Sequence, residues 1–258
     1  KKYSFTDPDA RFMQTYKKHI DLSYNGQIAV DKQGIILSND VVQDYEDRNQ
    51  LVPTVDNVEE IFGQLPEGTK VGADAGYENG KALEKLENRG FDLFVPGKCV
   101  IEKPKNKFAK ANFIYDKEND RYICPMGKLL EFVSKKTTDK RYDYLVNYRC
   151  KDCPTCPYQK ECCKKNKTRL ISATPYDKLF NRIKKKLQTP EGKETYALRK
   201  QTVEIAFGDI KHNKKFRNFL LRGLEKVKIE FNRACLARNL VMINNLLKKK
   251  KMTLAVTC

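Results

Sequence analysis

Residues 70–98, KVGADAGYENGKALEKLENRGFDLFVPGK, constrain the fold of this chain more tightly than any other stretch. Val71 and Ala73 lead a short apolar strand into Asp74, and Gly76 allows a sharp exit. Ala82, Leu83 and Leu86 then recur at the spacing of a short amphipathic helix that Gly90 can close. Phe91, Leu93, Phe94 and Val95 form a second apolar strand, stopped by Pro96 and Gly97. A strand, a helix and a strand in this order pair their strands in parallel. Ligands of such sheets gather at the carboxyl ends of the strands, which is where Asp74 falls. The competing role for Asp74 is structural, because an aspartate after a strand commonly closes a turn or caps a helix.

A second carboxylate stands out in residues 196–211, YALRKQTVEIAFGDIK. Val203, Ala206, Phe207 and Ile210 would bury one side of a helix, leaving Lys200, Glu204, Gly208 and Lys211 on the other. Lysines flanking a glutamate can simply form intrahelical ion pairs, each worth about 0.2–0.5 kcal/mol. Gly208 favours a chemical role, because it opens space beside Glu204 at a cost of about 1 kcal/mol relative to Ala.

Other segments supply the frame. Thr6, Asp7 and Pro8 read as the start of a helix within residues 1–22, with Phe12 and Tyr16 one turn apart and Asp7 and Asp9 as caps. YNGQIAVD (24–31) and GIILSNDVV (34–42) alternate like an antiparallel hairpin feeding the same sheet. A helix over residues 51–62 precedes the strand that carries Asp74.

The blocks TDPDARFM, YNGQIAVD, GADAGY, YICPMGK, YRCKDCPTCP, KLQTPEGKETYALRKQTVEIAFGDIK and FRNFLLRGLEKV, in this order, resemble the DDE-type transposases of bacterial insertion sequences. The resemblance implies an α/β fold: an RNase H-like mixed sheet flanked by helices, with an irregular Cys-rich insertion before the last catalytic helix. It divides the chain into a first part of the core (1–97), the insertion (98–175), a C-terminal helical part carrying Glu204 (176–251) and a tail (252–258). Asp74 corresponds to the family's second acid and Glu204 to its third. Tyr196, Arg199 or Lys200, Glu204 and Lys211 resemble its Tyr, Arg, Glu, Lys signature, with the identity of the base left open between Arg199 and Lys200. The family's first acid normally follows an opening strand that has no counterpart here, so it is expected upstream of Lys1. Asp31 is a weak internal substitute, since a carboxylate entering a hairpin turn has an ordinary structural use.

The chemistry implied is metal-dependent cleavage of DNA at insertion-sequence ends, followed by strand transfer. Two hard divalent ions, Mg²⁺ or Mn²⁺, held by carboxylates can activate the attacking hydroxyl and stabilise the leaving oxygen together. Asp74 and Glu204 are the expected metal ligands. A truncated DNA-binding remnant that no longer cuts, or a nuclease of the same fold, would share much of this sequence.

Composition agrees with a DNA partner. The 258 residues carry 51 Lys and Arg against 33 Asp and Glu, a net charge of +18, which suits a polyanion. Between Arg199 and Lys251 lie fifteen Lys and Arg against four Asp and Glu. Arg199, Lys200, Lys211, Lys214, Lys215, Arg217 and Arg222 are the expected phosphate contacts on double-stranded DNA. Val227, Phe231, Leu236, Leu240 and Ile243 suggest a long helix packed on the domain. Having only His19 and His212 argues against a histidine-based hydrolase. No run is apolar enough to cross a bilayer and no signal-peptide pattern is present, so a cytoplasmic, nucleoid-associated protein is expected. A homodimer on paired DNA ends is a family expectation.

The cysteines form a separate signal. Cys150, Cys153, Cys156 and Cys162 are candidate zinc ligands in a segment with little apolar periodicity, Cys163 and Cys124 lie close by in sequence or context, and reduced structural cysteines are the alternative. Disulfides are less attractive in a cytosolic DNA-binding protein. Cys235 fits a buried helix position, whereas Cys99 and Cys258 look unrelated.

Overall fold

The structure, a computed structural model, describes residues 4–14, 19–97, 106–137 and 143–255, the last six of these by backbone alone. Tyr16, Cys99 and Cys258 lie outside the described residues.

The segment expected to open with a helix forms two short strands instead, β1 (Arg11–Gln14) and β2 (Ile20–Ser23), paired antiparallel. The cap-like residues before them act at a distance. Asp7 Oδ1 accepts hydrogen bonds from the Tyr24 hydroxyl and the Gly223 amide, and Asp9 Oδ2 accepts from the Leu224 amide. Both acids therefore serve the start of the last helix of the chain, where unpaired N–H groups need acceptors.

The expected hairpin is present as β3 (Asn25–Val30) and β4 (Ile36–Val42). Asp31 lies in its turn, where Oδ1 accepts from the amides of Gln33 and Ile35 at 2.9 and 2.8 Å. Helix α1 (Leu51–Phe62) follows, burying Leu51, Val55 and Val58. The strand–helix–strand unit is β5 (Lys70–Gly72), α2 (Gly80–Asn88) and β6 (Asp92–Phe94), and β5 pairs β6 in parallel as its sequence requires. Asn79 caps α2, its side chain accepting from the amides of Lys81 and Ala82. Among the described residues, β3–β4 and β5–β6 form separate two-stranded ladders instead of the single mixed sheet expected.

The segment expected to be an irregular insertion is more regular than its sequence suggests. Strands β7 (Ile114–Asp116), β8 (Arg121–Ile123), β9 (Leu129–Thr137), β10 (Tyr144–Arg149) and β11 (Leu170–Ala173) make an antiparallel meander in the order β11-β10-β9-β8-β7. The short helix α3 (Gln159–Cys163) lies between β10 and β11. One face of the sheet buries Tyr122, Leu130, Tyr148 and Ile171 against Phe113, Cys150, Cys153 and Cys163.

The chain then returns through α4 (Asp177–Gln188), whose Leu179 and Ile183 join Leu83, Leu86, Leu93 and Val95 in one core cluster. Helix α5 (Pro190–Gly208) starts on Thr189, which accepts from the Gly192 amide, with Pro190 in the first turn. It passes into a π-helical turn at Asp209–Asn213. Helix α6 (Leu224–Ala255) closes the chain. Ile28, Ile36, Val41, Ala206, Ile210, Val227, Phe231 and Cys235 form a second core cluster joining β3, β4, α5 and α6. Asn239 completes this junction by bonding both the amide and the carbonyl of Ile36. The expected apolar stripe of α6 divides: Val227 and Phe231 are buried, while Leu236, Leu240 and Ile243 are exposed. The inner face continues through Cys235 and Arg238, so the leucines fall on the opposite side.

Candidate functional site

A cavity of about 780 Å³ opens between β3, α1, the carboxyl end of β5, α5 and the loop before α6. Asp74 and Glu204 both line it, although they come from opposite ends of the fold. Asp74 follows β5 and caps the 3₁₀ turn Ala75–Tyr77, its Oδ1 accepting from the Gly76 amide at 2.7 Å. The structural role anticipated for this aspartate is thus real, and it coexists with a position on the cavity wall. Glu204 projects from α5 with about half of its side chain exposed. Arg199 Nη2 donates to Glu204 Oε1 at 2.8 Å. Arg199 also stands over the Tyr196 ring, 5.5 Å from its centroid.

That pairing separates the two candidate bases: Arg199 lines the cavity and holds Glu204, whereas Lys200 is exposed and is not on the cavity wall. Lys211 and Arg217 line the same space. Lys214, Lys215 and Arg222 lie outside its lining, on the loop leading to α6. Asp31 is also outside it, occupied by the hairpin turn. Gly208 does not act as anticipated: a Cβ there would meet nothing within 4 Å, so the space beside Glu204 does not depend on a glycine.

The cavity contains a third acid that the sequence alone did not single out. Asp47, at the start of a 3₁₀ turn ahead of α1, accepts on Oδ1 from Asn25 Nδ2 at 2.7 Å and from Gln27 Nε2 at 2.8 Å. Gln27 in turn accepts from the Tyr77 hydroxyl. Burial and the neighbouring carboxylates of Asp47 and Asp74 push the Tyr77 phenol well above its ordinary value, keeping it a donor. A Cβ on Gly76 would lie 2.8 Å from Oδ1 of Asp74 and 3.5 Å from Oδ2 of Asp47, so glycine is what lets both carboxylates approach this turn. In sequence Asp47 reads only as a polar residue before a helix, and its hydrogen-bond partners Asn25 and Gln27 come from β3.

Residues 123–243 match the family model of the transposase DDE domain. The match supports a DDE transposase, a family that generally works on DNA with divalent metal ions. It spans Glu204, Arg199, strands β9 to β11 and the cysteines from Cys124 to Cys163, and Asp74 precedes it. Comparison with curated proteins and with solved structures finds no match. No helix among the described residues is long and apolar enough to cross a membrane.

The donor set of the cavity suits a hard cation. Asp47 and Asp74 offer carboxylate oxygens on one wall and Glu204 offers them on the other, the ligand type that Mg²⁺ and Mn²⁺ prefer. Among the described residues, no group of three or more His, Cys, Asp or Glu side chains already stands in metal-holding geometry. Glu204 presents Oε1 to Arg199 Nη2.

The cysteines of the insertion gather elsewhere. Cys150, Cys153 and Cys163 are buried, and Cys124, Cys156 and Cys162 are half-buried beside them. Burial pushes the thiols of Cys150 and Cys163 up to about 12. Cys235 is in a different place, fully enclosed in the α5–α6 core, and burial pushes its thiol up to about 12 as well.

Proposed function

We propose that the chain is the catalytic part of a DDE-type transposase that cuts DNA phosphodiester bonds and joins the freed 3′-hydroxyl to a second DNA. The observation that supports this reading is that Asp74 and Glu204 both line one cavity, together with Arg199, Lys211 and Arg217. Asp74 and Glu204 would hold the divalent ion, which when bound supplies an activated hydroxyl and a stabilised leaving oxygen.

The remaining work belongs to the protein. Arg199 orients Glu204 by donating from Nη2 to Oε1. Lys211 and Arg217 attract and position the phosphates, as bases at a nucleic-acid site do without reading sequence. The 3₁₀ turn fixes Asp74 through the Gly76 amide, so its carboxylate is set before substrate arrives. The excess of Lys and Arg from α5 to the end of α6 extends this attraction along the backbone of double-stranded DNA.

The test is nicking of supercoiled plasmid, together with joining of a 3′-hydroxyl oligonucleotide to it, in Mg²⁺ or Mn²⁺. The full chain should nick and join, chelation should stop both, and Asp74→Asn or Glu204→Gln should lower the rate by about 10²–10³-fold, the scale of losing a charge-stabilising group at a reacting centre. DNA retention by these variants, read by fluorescence anisotropy, should persist. Retention by the unaltered chain without nicking would leave a DNA-binding protein and remove the catalytic reading.

A further inference from the structure

Cys124, Cys150, Cys153, Cys156, Cys162 and Cys163 surround one cavity of about 20 Å³ beneath the five-stranded sheet. That is room for a single small particle, since holding one water takes about 10–15 Å³. The sulfurs reach it from three separate pieces of chain: the turn after β8, the CxxCxxC that follows β10, and α3. Cys153 is the hub, hydrogen-bonded to Cys150 on one side and Cys163 on the other, with Cys124 close enough to act on Cys150 electrostatically.

Two further features suit metal-bound sulfurs. Backbone amides are aimed at them: Met126 N–H and Lys128 N–H donate to Cys124 Sγ at 3.3 Å each, and Arg169 N–H donates to Cys153 Sγ at 3.3 Å. Donors of this kind orient the sulfurs that a metal would take as ligands. Arg169 also lines the cavity, and its buried Nε has no hydrogen-bond partner. A buried cationic nitrogen left unpaired beside thiols is costly, and an anionic sulfur cluster would meet it.

We propose that this cavity is a structural zinc site, with Cys124, Cys150 and Cys153 as ligands and a fourth thiolate supplied by Cys163 of α3. Cys124 takes the place that sequence spacing had given to Cys156, and Cys163 that of Cys162. No three of these sulfurs yet stand in metal-holding geometry, so binding draws the side chains inward around the cavity to about 2.3 Å from the ion. Four thiols give up four protons to solvent as one Zn²⁺ enters, leaving a site of charge −2 with Arg169 beside it. The metal then crosslinks the turn, the CxxCxxC segment and the short helix α3, a function independent of the cleavage proposed above.

The experiment measures zinc by elemental analysis in full-length protein purified under reducing conditions without chelator. One zinc per chain is expected, lost in Cys124→Ser and Cys153→Ser and kept in Cys156→Ser and in Cys235→Ala, whose thiol lies in the other core. Because a ligand variant may fail to fold, Co²⁺ is titrated into the metal-stripped unaltered chain, where the visible absorption of a tetrahedral thiolate site should appear at one equivalent. Folded, reduced protein that takes up neither ion would overturn the proposal. So would full zinc content in Cys124→Ser, or an intact mass showing the cysteines oxidised in pairs.

Discussion

Around the cleft, acidic side chains are held by donors at one oxygen; under the five-stranded sheet, thiols are packed against one another and away from water. Asp47 and Asp74 illustrate the first arrangement, each with Oδ1 bonded to protein groups. Cys150, Cys153 and Cys163 illustrate the second. The difference follows from the cost of burying charge. A carboxylate keeps its charge at neutral pH and so must stay near water or donors, whereas a buried thiol stays neutral until something replaces its proton. On the two proposals above, the cleft would receive a hard cation and phosphate, and the thiols a thiophilic cation.

The sharpest way to break this contrast is at Gly76. A Cβ there would press on Oδ1 of Asp74 at 2.8 Å and leave the cysteine sheet untouched. A displacement of about 1 Å at a reacting group can cost roughly 10²-fold, so Gly76→Ala should lose about that much nicking activity while zinc content stays unchanged. Equal nicking by Gly76→Ala and the unaltered chain would show that Asp74 does not need this turn. Asp47→Asn should have the next largest effect. It removes the charge but keeps an oxygen for Asn25 and Gln27, and outer groups that orient metal ligands are typically worth about 10- to 100-fold in activity or metal affinity. A higher Mg²⁺ requirement with an unchanged melting temperature is the expected signature; a fall in melting temperature with normal Mg²⁺ dependence would make Asp47 a purely structural tie between β3 and α1.

What could be read from the sequence follows the same division between local and distant causes. Helix α1 and the β5–α2–β6 unit were legible because their apolar residues repeat at the period of the element and the stop signal of α2, Gly90 past its end, is local. The start of the chain was misread for the opposite reason. Thr6, Asp7 and Pro8 look like a helix start, but Asp7 and Asp9 spend their oxygens on Gly223 and Leu224, which are distant in sequence. The five strands β7–β11 escaped notice because few of their side chains are buried; in β9 Leu130 alone is buried, so no alternation survives in the sequence. Asp74 and Glu204 could be proposed from their local settings. Asp47 could not, since only the folded chain brings Asn25, Gln27 and Gly76 to it.

The body of the protein has its own buried thiol, and it offers a more modest test. Cys235 ordinarily titrates at 9.0, and burial in the α5–α6 core pushes it up to about 12 despite the opposing pull of Arg238. A raised folded value means that the stability due to the neutral thiol is complete below pH 9 and is lost as pH rises toward 12. Over that window the α5–α6 core should weaken by about 1 kcal/mol per pH unit, and Cys235→Ala should flatten the slope of melting temperature against pH. An unchanged slope would mean that Cys235 is not what makes this core sensitive to base.

The smallest expected effect is at Gly208, and it separates geometry from sequence logic most cleanly. The residue sits one turn beyond Glu204 on α5, where a glycine looks like room reserved for a metal or phosphate. Yet an added methyl group would touch nothing within 4 Å, and the backbone there is ordinary right-handed helix. With no clash and no special φ to preserve, Ala should simply improve the helix, by about 0.5–1 kcal/mol. Gly208→Ala is accordingly expected to raise the melting temperature slightly and to nick plasmid at the unaltered rate. If it stabilises the chain but abolishes nicking, the DNA backbone must approach α5 at Gly208 itself, and the phosphate path would run directly over Glu204 instead of along Lys211 and Arg217.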